Sequence, residues 1–197
     1  MSLAHYFTFF RILLIPFFPL LYFQYPALGI SSKVLPYVLI AVLGVCEFTD
    51  LFDGFIARRK NQVTDLGKIL DPMADSIMRI TVFLTFTKGI INLPLVLVFV
   101  FMYREFFIST LRTLCAMKGM VLAARISGKI KAFLQGAAAF IILFLMLPYE
   151  HGWLSLSVLQ ALSMYIVSVV AVYAVISAAE YVYVNRELIQ KAISLET

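Results

Sequence analysis

Cysteine is almost absent from this chain. Cys46 and Cys115 are the only two in 197 residues. Both sit in apolar stretches, with no C-x-x-C or Cys/His spacing around them. That argues against a disulfide framework or a structural zinc site, and both thiols are expected to be packing residues. Histidine is as scarce. His5 reads as an interfacial side chain near the N-terminus and His151 as a solvated loop residue, so neither offers a convincing catalytic imidazole. There is no fixed-period repeat, low-complexity tract or domain linker, which leaves a single domain over residues 1–197. No A-x-A-like site follows the first apolar run, and that run is too long for a cleaved signal peptide. No nucleic-acid-binding module is present, so nucleic acid is not an expected partner despite a net charge of +5.

What the chain has in excess is apolar surface. It is 62% hydrophobic, against about 45–50% for soluble domains, and its mean hydropathy is +0.96. A bilayer-spanning helix needs about 20 mostly apolar residues. Six such stretches occur, at 6–29, 34–57, 66–88, 92–115, 129–149 and 153–184. The expected fold is therefore all-α and integral to a membrane, with six transmembrane helices and a polar tail after the last. The short loops set the orientation. Eleven cations fall on one side: Arg58, Arg59, Lys60, Lys68, Arg112, Lys118, Arg125, Lys129, Lys131, Arg186 and Lys191. Only Lys33 and Lys88 fall on the other. The crowded side is expected to be cytoplasmic, with both termini there, and a bacterial inner membrane suits the composition.

Against this background the stretch from Thr49 to Arg79 is unusual, because it concentrates five aspartates. Asp50 and Asp53 are three residues apart near the end of the second apolar stretch. Asp71 and Asp75 are four apart at the start of the third. Each pair shares one helix face, and a short loop makes the two helices antiparallel neighbours. Four unpaired carboxylates at membrane depth are costly, and Arg58 alone cannot neutralise them. Two hard divalent cations, Mg²⁺ or Mn²⁺, can do so through all-oxygen ligation. Such a pair matches the clamp used for phosphoryl displacement. Gly54, Ala57 and Gly67 leave room for a ligand beside the acids, and Pro72 removes one helical hydrogen bond next to Asp71. The alternative is a solvated loop with ordinary ion pairs to Arg58, Arg59, Lys60 and Lys68. That accounts for Asp65 and less well for Asp71 and Asp75, which run directly into an apolar segment.

Written out, Asp50, Asp53, Gly54, Ala57, Arg58, Gly67, Asp71 and Asp75 give D-x2-D-G-x2-A-R-x8-G-x3-D-x3-D. This resembles the signature of the CDP-alcohol phosphotransferase family, with every fixed position filled, and the six-helix plan agrees. The resemblance implies that CDP-diacylglycerol binds with its diphosphate on two metals, that an acceptor hydroxyl attacks the lipid-side phosphorus, and that CMP leaves. By motif position it implies that Asp50, Asp53, Asp71 and Asp75 ligate the metals, and that Asp75 also takes the hydroxyl proton. Thr8, Gly54, Ala57, Arg58, Thr64 and Gly67 would contact the CDP-lipid, and a homodimer is implied. The opening "HYFTFFR" resembles the family's N-x2-T-x2-R, with His5 where Asn is usual and with Thr8 and Arg11 in place.

A second constellation bears on the acceptor. Arg104 lies inside an apolar span, which is costly unless it faces a cavity or an anion. Arg112 is eight residues on, about 80° from alignment on a helix. Glu105 points about 100° away from Arg104, so a direct pair between them is expected to be imperfect. Lys129 and Lys131 begin the next helix, whose free amides add positive potential. The basic loops also obey the positive-inside rule and attract anionic headgroups, which covers Lys118 and Arg125 but not Arg104. The other reading is a pocket for an anionic acceptor, most simply a phosphate ester. "REFFISTLRTLCAMKG" and "SGKIKA" resemble the branch of the family whose acceptor is sn-glycerol 3-phosphate. There Arg104, Arg112 and Lys129 would bind the phosphate, with Ser127 and Lys131 as weaker contributors. Ser76 stands where that branch usually has lysine, and Arg125 where a small residue is expected.

The expectation is thus an enzyme transferring a phosphatidyl group from CDP-diacylglycerol to sn-glycerol 3-phosphate at the cytoplasmic face of the bilayer. Inositol phosphate and phosphatidylglycerol are alternative acceptors within the same chemistry. A cation transporter would also use buried carboxylates, but the outer halves of the second and third apolar stretches carry no acids to continue a path. A purely structural role gives no reason for four convergent acids.

Overall fold

The computed structural model describes residues 10–59, 65–120, 122 and 125–194, with side chains described throughout except at 50–71 and 193. Among the described residues seven helices are delimited: α1 (Phe17–Gln24), α2 (Leu35–Arg59), α3 (Asp65–Thr85), α4 (Leu95–Met117), α5 (Ile126–Glu150), α6 (Leu156–Val184) and α7 (Arg186–Ser194). A short helical stretch at 10–14 precedes α1, and no strand occurs among the described residues. Helices α2 to α6 follow the apolar stretches closely. The first stretch departs from expectation: it breaks at Ile15–Pro16 and ends at Gln24 rather than at 29. Pro16 supplies no amide to the turn before it, which interrupts the helical ladder. Helix α3 continues through Pro72.

Among the described residues two helices are long and apolar enough to cross a membrane, α5 with 25 residues and α6 with 29, each at a mean hydropathy of 2.1. At 1.5 Å per residue, 25 residues reach about 37 Å, beyond a hydrocarbon core of about 30 Å. Along α6, Tyr165, Val169, Val172, Val175 and Ile176 are exposed. An apolar surface of that extent suits lipid contact. In lipid, close packing rather than exclusion of water holds helices together.

The chain divides into two compact units, residues 1–93 with 139–163, and residues 94–138 with 164–197. In the first, Phe18, Tyr22, Phe83 and Phe86 form edge-on ring contacts with centroids 6.0–6.3 Å apart. Tyr22 also donates to the Lys88 carbonyl at 3.1 Å, which ties α1 to the turn after α3. Gly89 in that turn has φ +76°, and a Cβ there would sit 2.9 Å from the Tyr22 ring. Gln160 on α6 donates to the Ile90 carbonyl at 2.9 Å.

In the second unit, α4 ends in a Schellman cap. Met120 N–H bonds the Cys115 carbonyl and Gly119 N–H the Ala116 carbonyl, each at 2.9 Å. Gly119, at φ +72°, supplies the left-handed residue the cap requires. Ile108 and Cys115 of α4, Leu122, Tyr181 of α6, and Ile189 and Ala192 of α7 then form one buried cluster. The amphipathic α7 therefore folds its apolar face onto α4. Both cysteines are free and buried, as expected.

Candidate active site

Helices α2 and α3 carry the aspartate signature. Asp50, Asp53, Gly54, Ala57 and Arg58 lie on α2, and Gly67, Asp71 and Asp75 on α3. The helical register assumed for both acidic pairs is thus present. Thr8, Thr64 and His5 lie outside the described residues, as do the side chains of all the signature residues except Asp75. Among the described residues no group of three or more His, Cys, Asp or Glu side chains forms a metal cluster.

Asp75 is part-buried, and two guanidinium groups converge on it. Arg11 is fully buried and its Nη1 pairs with Asp75 Oδ1. Arg79, one turn further along α3, places Nη2 3.6 Å from Asp75 Oδ2. A carboxylate at membrane depth needs such partners. Arg79 Nε is buried without a hydrogen-bond partner among the described residues. Arg11 belongs to the opening motif "HYFTFFR", where the sequence alone assigns it no role. Its signal was a single cation embedded in "FTFFRILLIPFF".

The second unit gathers the basic residues. Arg104 Nη1 lies 3.2 Å from Glu105 Oε1, and the same carboxylate pairs with Lys131, which is 4% exposed. This corrects the expectation of an imperfect Arg104–Glu105 pair. Both side chains are long enough to close the 100° between neighbouring helix positions. Gly128 on the first turn of α5 leaves space beside this group, since a Cβ there would meet Arg104 Nη2 at 3.7 Å. Ser127 Oγ and Arg104 Nε are both buried and lack a hydrogen-bond partner among the described residues. Lys129 is exposed.

Helix α6 completes this arrangement. Ser177 Oγ donates to the Ala174 carbonyl at 2.9 Å and lies 3.5 Å from Arg104 Nη2. Arg112 Nε donates to Tyr181 Oη at 3.1 Å, and its Cζ stands 5.2 Å from the centre of the same ring. Arg125 Nη2 lies 3.3 Å from Glu180 Oε1. The cation found where a small residue was expected therefore has a carboxylate partner on α6. Among the described residues, Arg104 and Lys131 share the Glu105 carboxylate, Arg125 pairs with Glu180, and Arg112 is bonded to a neutral tyrosine hydroxyl. The available signal was the spacing of Ser177, Glu180 and Tyr181 in "SAAEY", one face of a helix otherwise free of charge.

Comparison with known proteins decides the family. The model of the CDP-alcohol phosphatidyltransferases matches residues 1–176. The chain belongs to this family. With two helices long and apolar enough to cross a bilayer, this family member is an integral membrane protein. It is 34% identical over 146 residues to a Bacillus subtilis protein named CDP-diacylglycerol–glycerol-3-phosphate 3-phosphatidyltransferase, which covers 71% of this chain and 75% of that one. The Escherichia coli protein of the same name is 34% identical over 137 residues, 66% of this chain and 70% of its own. A third so named, from Wigglesworthia glossinidia brevipalpis, is 30% identical over 183 residues, 90% of this chain and 91% of its own.

Proposed function

We propose that the chain transfers the phosphatidyl group of CDP-diacylglycerol to sn-glycerol 3-phosphate, giving phosphatidylglycerophosphate and CMP. The reading is carried by the complete aspartate signature on α2 and α3, in a chain whose relatives bear that activity in their names.

The donor set suits a divalent cation. Asp50 with Asp53, and Asp71 with Asp75, keep their spacings within continuous helices, so each pair runs along one face and offers only carboxylate oxygens. These four residues would hold two ions, Mg²⁺ or Mn²⁺. When bound, the ions supply positive charge to the diphosphate and to the departing CMP.

The chain's own residues do the rest. Arg58, with Thr8, Gly54, Ala57, Thr64 and Gly67, forms the CDP-lipid subsite, where a guanidinium suits the diphosphate. Arg104, Arg112 and Lys129 bind the acceptor phosphate, with Ser127 and Lys131 beside them. Arg104 Nε and Ser127 Oγ, buried and without a hydrogen-bond partner among the described residues, support an oxygen-rich ligand there. The acceptor's 1-hydroxyl oxygen bonds to the lipid-side phosphorus. The bond from that phosphorus to the bridging oxygen breaks, and CMP leaves with that oxygen. The hydroxyl proton passes to Asp75, a role that needs a carboxylate within hydrogen-bond reach of the nucleophile. Arg11 and Arg79 hold that carboxylate in place. Catalysis is positioning and electrostatics.

The same reading has six spans and a site and termini on the cytoplasmic side of a bacterial inner membrane. The eleven cations at the helix ends and connections on that side support it. The family match through residue 176 supports one domain over 1–197, and the family resemblance implies a homodimer. The test is product analysis by thin-layer chromatography. Radiolabelled CDP-diacylglycerol is offered with glycerol phosphate, inositol phosphate or phosphatidylglycerol. Labelled phosphatidylglycerophosphate is expected with the first alone. A labelled product only with another acceptor would overturn the acceptor assignment, and ion flux without any product would favour a transporter.

A further inference from the structure

Helix α6 has no lysine or arginine from Leu156 to Val184, yet both arginines assigned to the acceptor phosphate reach it. Ser177 and Tyr181 are four residues apart and share a helix face. Tyr181 is 2% exposed, and its ring is packed among Ile108, Cys115, Leu122 and Ile189, so it has little freedom to turn. Its hydroxyl oxygen accepts from Arg112 Nε at 3.1 Å. With Nε engaged, the two terminal nitrogens of Arg112 remain as the fork that grips a phosphate in two places. Ser177 works in the same sense. Its proton is committed to the Ala174 carbonyl at 2.9 Å, so its oxygen is left to accept from Arg104 Nη2 at 3.5 Å. The Arg125–Glu180 pair on this face is more open, with side chains 38% and 41% exposed, and contributes little by itself.

We propose that α6 is the positioning element of the acceptor-phosphate pocket, with Tyr181 as the residue that presets the Arg112 guanidinium and Ser177 assisting at Arg104. The proposal rests on the acceptor reading given above and deepens it. A guanidinium fixed before the ligand arrives loses less freedom on binding, and such ordering is worth roughly threefold to tenfold in affinity per long side chain.

The experiment is steady-state kinetics of the full-length enzyme in detergent micelles, varying each substrate in turn. Tyr181→Phe keeps the ring and its packing and removes only the hydroxyl. Its KM for sn-glycerol 3-phosphate is expected to rise about three- to tenfold, while kcat, the KM for CDP-diacylglycerol and the melting temperature move little. In an Arg112→Ala background the same change is expected to add less than about twofold, because the two act through one contact. A wild-type KM in Tyr181→Phe alongside a raised KM in Arg112→Ala would overturn the positioning role and leave the acceptor assignment standing. Wild-type KM values in both would overturn both. Equal shifts in both substrates' KM with a lowered melting temperature would mark Tyr181 as merely structural, and would also overturn the proposal. Should Tyr181→Phe not accumulate, Ser177→Ala reads the same role: a raised acceptor KM supports it, and an unchanged one contradicts it.

Discussion

Arg11 and Asp75, 64 residues apart in sequence, form a part-buried ion pair that joins the segment preceding α1 to α3. Arg11 has no exposed surface, so its charge depends on protein partners. Removing one member of a fully buried pair costs on the order of 3 kcal/mol; here Arg79 still faces a part-exposed Asp75, so a smaller cost is expected. Arg11→Ala is expected to lower the melting temperature in detergent and to depress kcat, through loss of the restraint on the Asp75 carboxylate. Arg11→Lys, which keeps the charge and loses the planar fork, is expected to fall between. Wild-type melting and turnover in Arg11→Ala would remove this pair from the account.

Two glycines should respond differently to the same substitution. Gly89 and Gly119 both have positive φ, +76° and +72°. A left-handed alanine costs about 1–2 kcal/mol. At Gly119 a Cβ meets nothing within 4 Å, whereas at Gly89 it meets the Tyr22 ring at 2.9 Å. Gly89→Ala is therefore expected to lower the melting temperature more than Gly119→Ala, because Tyr22 must also give way. The reverse order, measured by thermal unfolding in one detergent, would contradict the clamp of Tyr22 on this turn.

Asp75→Asn should abolish turnover. The amide cannot take the acceptor proton, and a ligand charge is lost. Because Asp50, Asp53 and Asp71 remain, some binding of CDP-diacylglycerol is expected to survive in an equilibrium assay. Near-normal turnover would refute Asp75 as the base.

Chelation should stop the reaction, and Mg²⁺ or Mn²⁺ should restore it. An enzyme that retains full activity after exhaustive chelation would contradict the two-ion reading. In Asp53→Asn, a rise in the concentration of Mn²⁺ needed for half-maximal recovery is expected.

Much of the architecture was legible in local pattern. The stretches expected at 34–57 and 153–184 form as Leu35–Arg59 and Leu156–Val184, because apolar runs bounded by charge, proline and glycine define helices directly. The broken first helix was less visible, since Pro16 lies inside an otherwise uniform apolar run. The pairs that organise the site were not legible at all. Arg11 with Asp75, Arg112 with Tyr181 and Arg104 with Ser177 join residues 64 to 73 positions apart. Such contacts follow from how helices pack, which periodicity does not encode. Arg104 stands out in the sequence by its cost in an apolar span. Its compensation is Glu105, whose carboxylate lies 3.2 Å from Arg104 Nη1 although neighbouring positions on a helix are about 100° apart.

The central claim is transfer of a phosphatidyl group to a phosphorylated glycerol. It is tested most directly with radiolabelled sn-glycerol 3-phosphate and purified protein, by following the appearance of label in the organic phase. Lipid-borne label that requires CDP-diacylglycerol is expected, accompanied by one CMP per labelled lipid. CDP-diacylglycerol left intact in the presence of the acceptor and either divalent cation would contradict it.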